Sequence, residues 1–202
     1  MIPNPIDLVN TYRLEVALTA IGGVAWVAAE YYGRWSTWQQ GAARKPPSTL
    51  DRGTYPAIAL SIAVGMISTA LAFLFGVGGL LPSWAAPLGL GLVAVGLLIR
   101  VWALRTLGRF FTMPITLRAD HEIVQKGPYR WLRHPAYTGG FLTVVGMSIA
   151  LGPWVGIAIT VVGCLIAYVY RIQVEEATLL TRFGNDYRAY SATTWRLLPL
   201  VY

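Results

Sequence analysis

Long apolar blocks alternate with short polar ones along the chain, and five blocks read as helices: Leu14 to Tyr32, Tyr55 to Phe75, Pro87 to Leu104, Tyr137 to Leu151 and Trp154 to Tyr170. Each approaches the roughly 20 residues that carry an α-helix across about 30 Å of hydrocarbon. The fourth is short, and Gly152-Pro153 leaves almost no loop before the fifth, so these two are expected to form a tight antiparallel hairpin. The pattern predicts an all-α membrane protein with five transmembrane helices.

Composition supports that class. Hydrophobic residues make up 55% of the 202 positions and charged residues 12%, too little polar surface to cover a water-soluble globule. Met1 to Asn10 carries only Asp7 as a charged side chain, so a cleaved leader is not expected. The single cysteine, Cys164, lies inside the fifth block, which excludes an internal disulfide framework and a cysteine metal cluster. It reads as a packed membrane cysteine, and no metal site is expected.

Charge gives the chain a direction. With five crossings, segments 33–54, 105–136 and 171–202 share one side and hold 14 of the 16 Lys and Arg residues. Arg100 is expected to snorkel to that side, leaving Arg13 alone on the other. The positive-inside rule then predicts a cytoplasmic C-terminus and an external N-terminus. The net charge of +7 suits anionic headgroups, and no motif points to nucleic acid.

Several motifs have bland readings. Gly89-Leu-Gly91-Leu-Val-Ala94 matches a dinucleotide fingerprint but lies inside an apolar helix without a preceding strand, so its small residues are read as helix packing. Glu15 and Glu30 are placed at the membrane interface rather than along a polar pathway. "GAARKPPSTLDRG", Gly41 to Gly53, reads as a flexible loop.

"GPYRWLRHPAYTGG", Gly127 to Gly140, is harder to dismiss. Gly127-Pro128 breaks an incoming helix, Tyr129 and Trp131 suit the headgroup layer, and Pro135 restrains His134 just before the fourth helix. His134 and Tyr137 thus stand at a helix entrance whose free N–H groups favour an anion. In "YRIQVEEATLLTRFGNDYRAY", Tyr170 to Tyr190, Arg171 and Glu175 share a helix face as an ordinary ion pair would, with Glu176 about 100° away. Phe183-Gly184 ends that helix, after which Tyr187, Tyr190 and Trp195 are placed to fold an aromatic tail back.

In combination, "LGRFFT" at Leu107 to Thr112, "HEIVQKGPYRWLRHPAYTG" at His121 to Gly139, and an Arg with paired Glu before "L..FG..Y..Y" resemble the isoprenylcysteine carboxyl methyltransferase family of membrane methyltransferases, in its compact prokaryotic form. The resemblance runs from Leu107 to Pro199. It implies S-adenosylmethionine as methyl donor, with S-adenosylhomocysteine as product, bound on the cytosolic side by the 105–136 loop, the last two helices and the tail. It implies cofactor contacts at His121, Glu122, Ile123, Val124, Tyr129, His134, Pro135, Ala136, Tyr137 and Glu175. Arg171 matches the position that meets the substrate and is the catalytic candidate. The linker from Phe111 to His121 is shorter than in eukaryotic members, and Thr116 is the one candidate for a polar contact there. Residues 1–104 are then an N-terminal three-helix part and 105–202 the catalytic part, with its hairpin at 137–170, in one integrated domain.

The implied chemistry suits the residues. Methyl transfer from a sulfonium is an in-line displacement that needs alignment and exclusion of water. A carboxylate acceptor, with a pKa of roughly 3.5, is already ionised and needs only a cation such as Arg171 to hold it. A phospholipid amine acceptor would require a base, for which His134, Glu176 or a tyrosine are the candidates. A prenylcysteine-like carboxylate entering from the membrane is therefore the leading acceptor, with a phospholipid amine or small thiol as alternatives and a non-enzymatic transporter or scaffold as the remote one.

Overall fold

The computed structural model describes residues 5–39, 49–111, 115 and 120–197. These residues form, in order, the α-helices α1 Pro5–Thr11, α2 Arg13–Gln39, α3 Thr54–Phe75, α4 Ala85–Leu107, α5 Pro135–Leu151, α6 Trp154–Phe183 and α7 Asn185–Ala192. Short 3-10 turns sit at Thr49–Asp51, Gly108–Phe110 and Gly127–Arg130. No strand occurs among the described residues beyond isolated bridges.

Among the described residues, four helices are long and apolar enough to cross a membrane: α2, α3, α4 and α6. At 17 residues α5 is apolar but shorter. Leu14, Val24, Leu60, Ile67, Leu98 and Ile166 point outward and stay largely exposed, the arrangement expected where lipid rather than water covers the surface. At 30 residues, α6 is roughly 45 Å long. It thus outruns the hydrocarbon, and its polar C-terminal part extends past the apolar block that ends at Tyr170. Gly184, at φ +53 and ψ −116, takes a positive-φ conformation open to glycine where α6 ends and α7 starts.

The turn between α5 and α6 forms as expected, with Gly152 at φ +91 and Pro153 opening α6. The two helices nevertheless find their main partners elsewhere: α5 packs on α4, and α6 on α3. Small residues decide this. A Cβ on Gly96 would meet Thr143 N at 2.6 Å and Gly139 O at 2.7 Å, and one on Gly89 would meet Ala150 N at 2.4 Å. Backbone therefore lies on backbone along the whole α4–α5 seam, as small residues permit in membranes. Gly91, in the same motif, faces open space and takes no part. Deep in the bundle the Thr69, Ser148 and Thr160 hydroxyls meet at 3.0–3.4 Å. They tie α3, α5 and α6 together where water cannot satisfy them.

Arg100 corrects an expectation. It does not snorkel but is buried, donating to Glu30 on α2 through Nε at 2.7 Å and to the Ala136 carbonyl through Nη1 at 2.6 Å. Its guanidinium carbon lies 5.0 Å from the Trp26 ring centroid. An arginine reaches water only when nothing nearer neutralises it, and here Glu30 does so. The pair joins α2 and α4 to the first turn of α5.

Candidate functional site

The chain approaches α5 through a turn that its sequence dictates. Gly127 has φ +54 and opens a 3-10 turn with Pro128 as its second residue, and His134 precedes Pro135 at the first position of α5, where proline's missing N–H costs nothing. The His134 ring stacks on Tyr137, centroids 5.5 Å apart and planes 16° from parallel. Tyr129, expected at the headgroup layer, is instead 6% exposed. The tail covers it: the Tyr190 hydroxyl donates to the Tyr129 carbonyl at 2.7 Å. Burial pushes the Tyr129 phenol above its ordinary pKa, and the nearby Glu175 adds to the shift, so it stays neutral.

The tail docks along the same stretch. Trp195 N–H donates to Trp131 O at 2.9 Å, and Arg133 N–H and His134 N–H donate to Trp195 O and Arg196 O at 2.7 and 3.1 Å. The Thr138 hydroxyl reaches Leu197 O at 2.5 Å. The Arg133 side chain completes the clasp through the Ser191 and Thr194 carbonyls. Glu176 lies under this clasp, 2.8 Å from Arg133 Nε, 3.3 Å from His134 Nε2 and 3.1 Å from Arg196 Nε.

Arg171 and Glu175 share a face of α6 as their spacing predicts, with Tyr137 between them. The Tyr137 hydroxyl accepts from Arg171 Nε at 2.9 Å and donates to Glu175 Oε2 at 2.6 Å. Arg171 Nη1 also donates to the Asp51 carboxylate and, at 2.7 Å, to the Thr54 hydroxyl. Asp51 in turn accepts the N–H groups of Tyr55 and Ile115, both at 3.1 Å. Burial alone would raise the Asp51 carboxyl, but those two N–H groups and the Arg171 guanidinium outweigh it and hold its pKa below the ordinary value.

Two cavities of different character meet at this point. A cleft of about 110 Å³ is lined by residues 121–124, by Tyr129, Arg133, His134, Ala136 and Tyr137, by Arg171, Glu175, Thr178 and Leu179 on α6, and by Tyr187 and Tyr190 on α7. It adjoins an outer groove that shares His121, Glu122, Ile123 and Tyr190 and adds Gln125, Asp186 and Thr193. Pockets for drug-sized ligands begin at about 300 Å³, so a nucleoside-sized ligand needs cleft and groove together. The second cavity, about 340 Å³, lies among α2, α3, α4 and α6 and is lined by Trp26, Val27, Tyr31, Tyr55, Ile58, Ala59, Ile62 and Tyr168, with Glu30 and Arg100 as polar groups. Phe111, Tyr137 and Arg171 line both.

The structure brings His121, Glu122, Ile123, Val124, Tyr129, His134, Ala136, Tyr137 and Glu175 into one cleft with Arg171. Pro135 is buried behind its wall and does not line it. Thr116 lies outside the described residues. Sequence reading missed Asp51 and Thr54, which sit at the end of a polar loop with no periodic signal. The aspartate three residues before the threonine that opens α3 is the only cue.

A helical membrane bundle with a rim cleft that shares one wall with an intramembrane cavity defines an integral membrane protein with a site at the edge of its apolar zone. The chain belongs to the phospholipid methyltransferase family, which residues 84–186 match. It is similar to protein-S-isoprenylcysteine O-methyltransferase B of Arabidopsis thaliana, 34% identical over 121 residues, covering 58% of this chain and 61% of the relative. It is also similar to the protein-S-isoprenylcysteine O-methyltransferase of Tribolium castaneum, 30% identical over 120 residues, covering 58% of this chain and 43% of the relative. The chain spans about half the length of the curated relatives it matches. Among solved structures it resembles the eukaryotic intramembrane Ras methyltransferase isoprenylcysteine carboxyl methyltransferase, with a TM-score of 0.60 and 25% identity over 98% of this chain and 68% of that one.

Proposed function

We propose that the chain is an S-adenosylmethionine-dependent membrane methyltransferase that methylates the carboxylate of an isoprenylcysteine-like lipidated acceptor. The observation that carries this reading is the shared wall: a cleft that carries the charged side chains of Arg133 and Glu175 beside His134, and a largely apolar cavity among the long helices, meet at Phe111, Tyr137 and Arg171. A water-soluble donor and a lipid-borne acceptor require such a junction. The names of the similar proteins point the same way.

The cleft residues fit the donor. Glu175 accepts hydrogen bonds and keeps one carboxylate oxygen oriented by Tyr137, suiting a ligand's amino or hydroxyl groups. A buried Tyr187 hydroxyl lacks a protein partner. When bound, S-adenosylmethionine supplies an electrophilic methyl group. His134, Ala136, Tyr137 and Glu175 orient that ligand, with residues 121–124 and Tyr129, and Pro135 fixes the start of α5 behind them. Arg171 holds the acceptor carboxylate, and the α7 tail excludes water. In this reading α5 completes five crossings, the N-terminus is external, and the site and C-terminus are cytoplasmic. Residues 105–202 carry the catalytic part, and 1–104 supply most of the acceptor cavity.

Equilibrium binding of S-adenosylhomocysteine to detergent-purified protein tests this reading. Saturable binding lost in Glu175→Gln, with binding kept but turnover of a farnesylated cysteine lost in Arg171→Ala, is the expected result. No binding by folded wild type overturns it. One observation favours a second reading. Asp51 already neutralises Arg171, and Glu175 stands on the far side of Tyr137, an acidic setting that suits a phospholipid amine. An amine acceptor loses rate as pH falls through its base's pKa, whereas a carboxylate acceptor does not over the same range.

A further inference from the structure

One side chain of the cleft wall carries a buried hydroxyl that has no hydrogen-bond partner. Tyr187, on α7, is 2% exposed. It lines the cleft with Arg133, Glu175 and Tyr190, and its hydroxyl is buried without a hydrogen-bond partner. Its neighbour Tyr190 stands edge-on to it, centroids 6.0 Å apart, and spends its own hydroxyl on the Tyr129 carbonyl. Buried hydroxyls are almost always satisfied, and one left unpaired costs stability unless a ligand or water completes it. Burial, then the charges of Glu176 and Glu175, push the Tyr187 phenol above its ordinary pKa. It therefore keeps its proton and can donate.

On the reading that this cleft takes the methyl donor, we infer that the Tyr187 hydroxyl donates a hydrogen bond to the bound donor, adding a binding residue from α7 to those of α5 and α6. Phe183-Gly184 and the Arg133 clasp then have a purpose in binding: they bring α7 back over the cleft, so that ligand and tail hold each other.

The test is Tyr187→Phe, which removes only the oxygen, with Tyr190→Phe beside it. S-adenosylhomocysteine affinity, measured calorimetrically on detergent-purified protein, is expected to fall roughly five- to tenfold in Tyr187→Phe. Its thermal midpoint without ligand is expected to stay at or above that of wild type, because no protein bond is lost. Tyr190→Phe, which loses its bond to Tyr129, should show a lowered midpoint. Wild-type affinity in Tyr187→Phe overturns the inference alone. A ligand-free midpoint lowered as far as in Tyr190→Phe also overturns it, because the hydroxyl is then structural. No binding by folded wild type overturns the functional reading and this inference with it.

Discussion

Alanine at Gly89 and alanine at Gly91, two residues apart on α4, are expected to have opposite effects. A Cβ at Gly89 stands 2.4 Å from Ala150 N, 2.7 Å from Gly146 O and 2.9 Å from Ala150 Cα, all backbone atoms of α5, whereas nothing lies within 4 Å of one at Gly91. Ordinary contact begins at 3.4 Å, so the Gly89 variant must push α5 away by about 1 Å. No side-chain rotation can relieve a clash with backbone, and a gap of that size forfeits about a quarter to a half of the dispersion energy of each atom pair across it. Overpacking of this kind costs about 1–3 kcal/mol. Replacing a mid-helix glycine returns up to about 1 kcal/mol in both variants. Gly91→Ala is therefore neutral or mildly stabilising, and Gly89→Ala is the less stable of the two by about 1–3 kcal/mol. Thermal unfolding in detergent measures the difference, and S-adenosylhomocysteine affinity reports whether the displaced α5 carries its first turn with it. Equal midpoints for the two variants, or a worse one for Gly91→Ala, would refute the backbone-contact seam.

Three further outcomes follow from the buried charges and the clasp. Glu30→Gln leaves the Arg100 guanidinium without its counter-charge and is expected to cost about 3 kcal/mol or more. Adding Arg100→Met should recover much of that loss, and a double-mutant cycle on thermal midpoints checks it. Because Asp51 titrates below its ordinary value in the folded chain, its contribution is complete above the unfolded pKa of about 3.9. It is lost as pH falls through that value towards the lower folded one. Midpoints recorded from about pH 6 down to about pH 3 should show a steeper acid limb for wild type than for Asp51→Asn, and superimposable limbs would assign that slope to other carboxylates. Arg133→Ala removes the bonds to the Ser191 and Thr194 carbonyls and should open the tail to limited proteolysis near residues 191–197 while α4 and α5 stay protected. An unchanged cleavage pattern would show that the backbone bonds at Trp195 and Arg196 suffice.

The membrane helices were legible because an apolar block of the right length has few other uses. The apolar block alone does not show where α6 stops, since its last turns are polar, but the Phe183-Gly184 signal does, and α6 ends at Phe183. Partner choice was half visible: the small residues of α4 and α5 announce close packing, but only the fold shows that Gly89 and Gly96 meet α5 while Gly91 meets nothing. Arg100 and Tyr129 were misplaced for one reason. Rules for the membrane interface treat each side chain alone, whereas Glu30, 70 residues away in sequence, and the α7 tail bury these two. The cleft itself was read largely from motif resemblance, because His121 and Glu175 carry no periodic sign of proximity. Asp51 escaped because a lone acid in a polar loop looks the same whether it faces solvent or a buried arginine.

The hydrogen-bond chain from Asp51 through Arg171 and Tyr137 to Glu175 runs along the wall that the two cavities share, and so offers a route by which occupancy of one can be felt in the other. A ligand that draws on Glu175 changes what Tyr137 offers Arg171, and one that draws on Arg171 changes the orientation of Tyr137 towards Glu175. Linkage requires that whatever factor donor occupancy applies to acceptor affinity, acceptor occupancy applies to donor affinity. On the proposed reading, the sign and size of that mutual factor would depend on one phenolic hydroxyl, that of Tyr137.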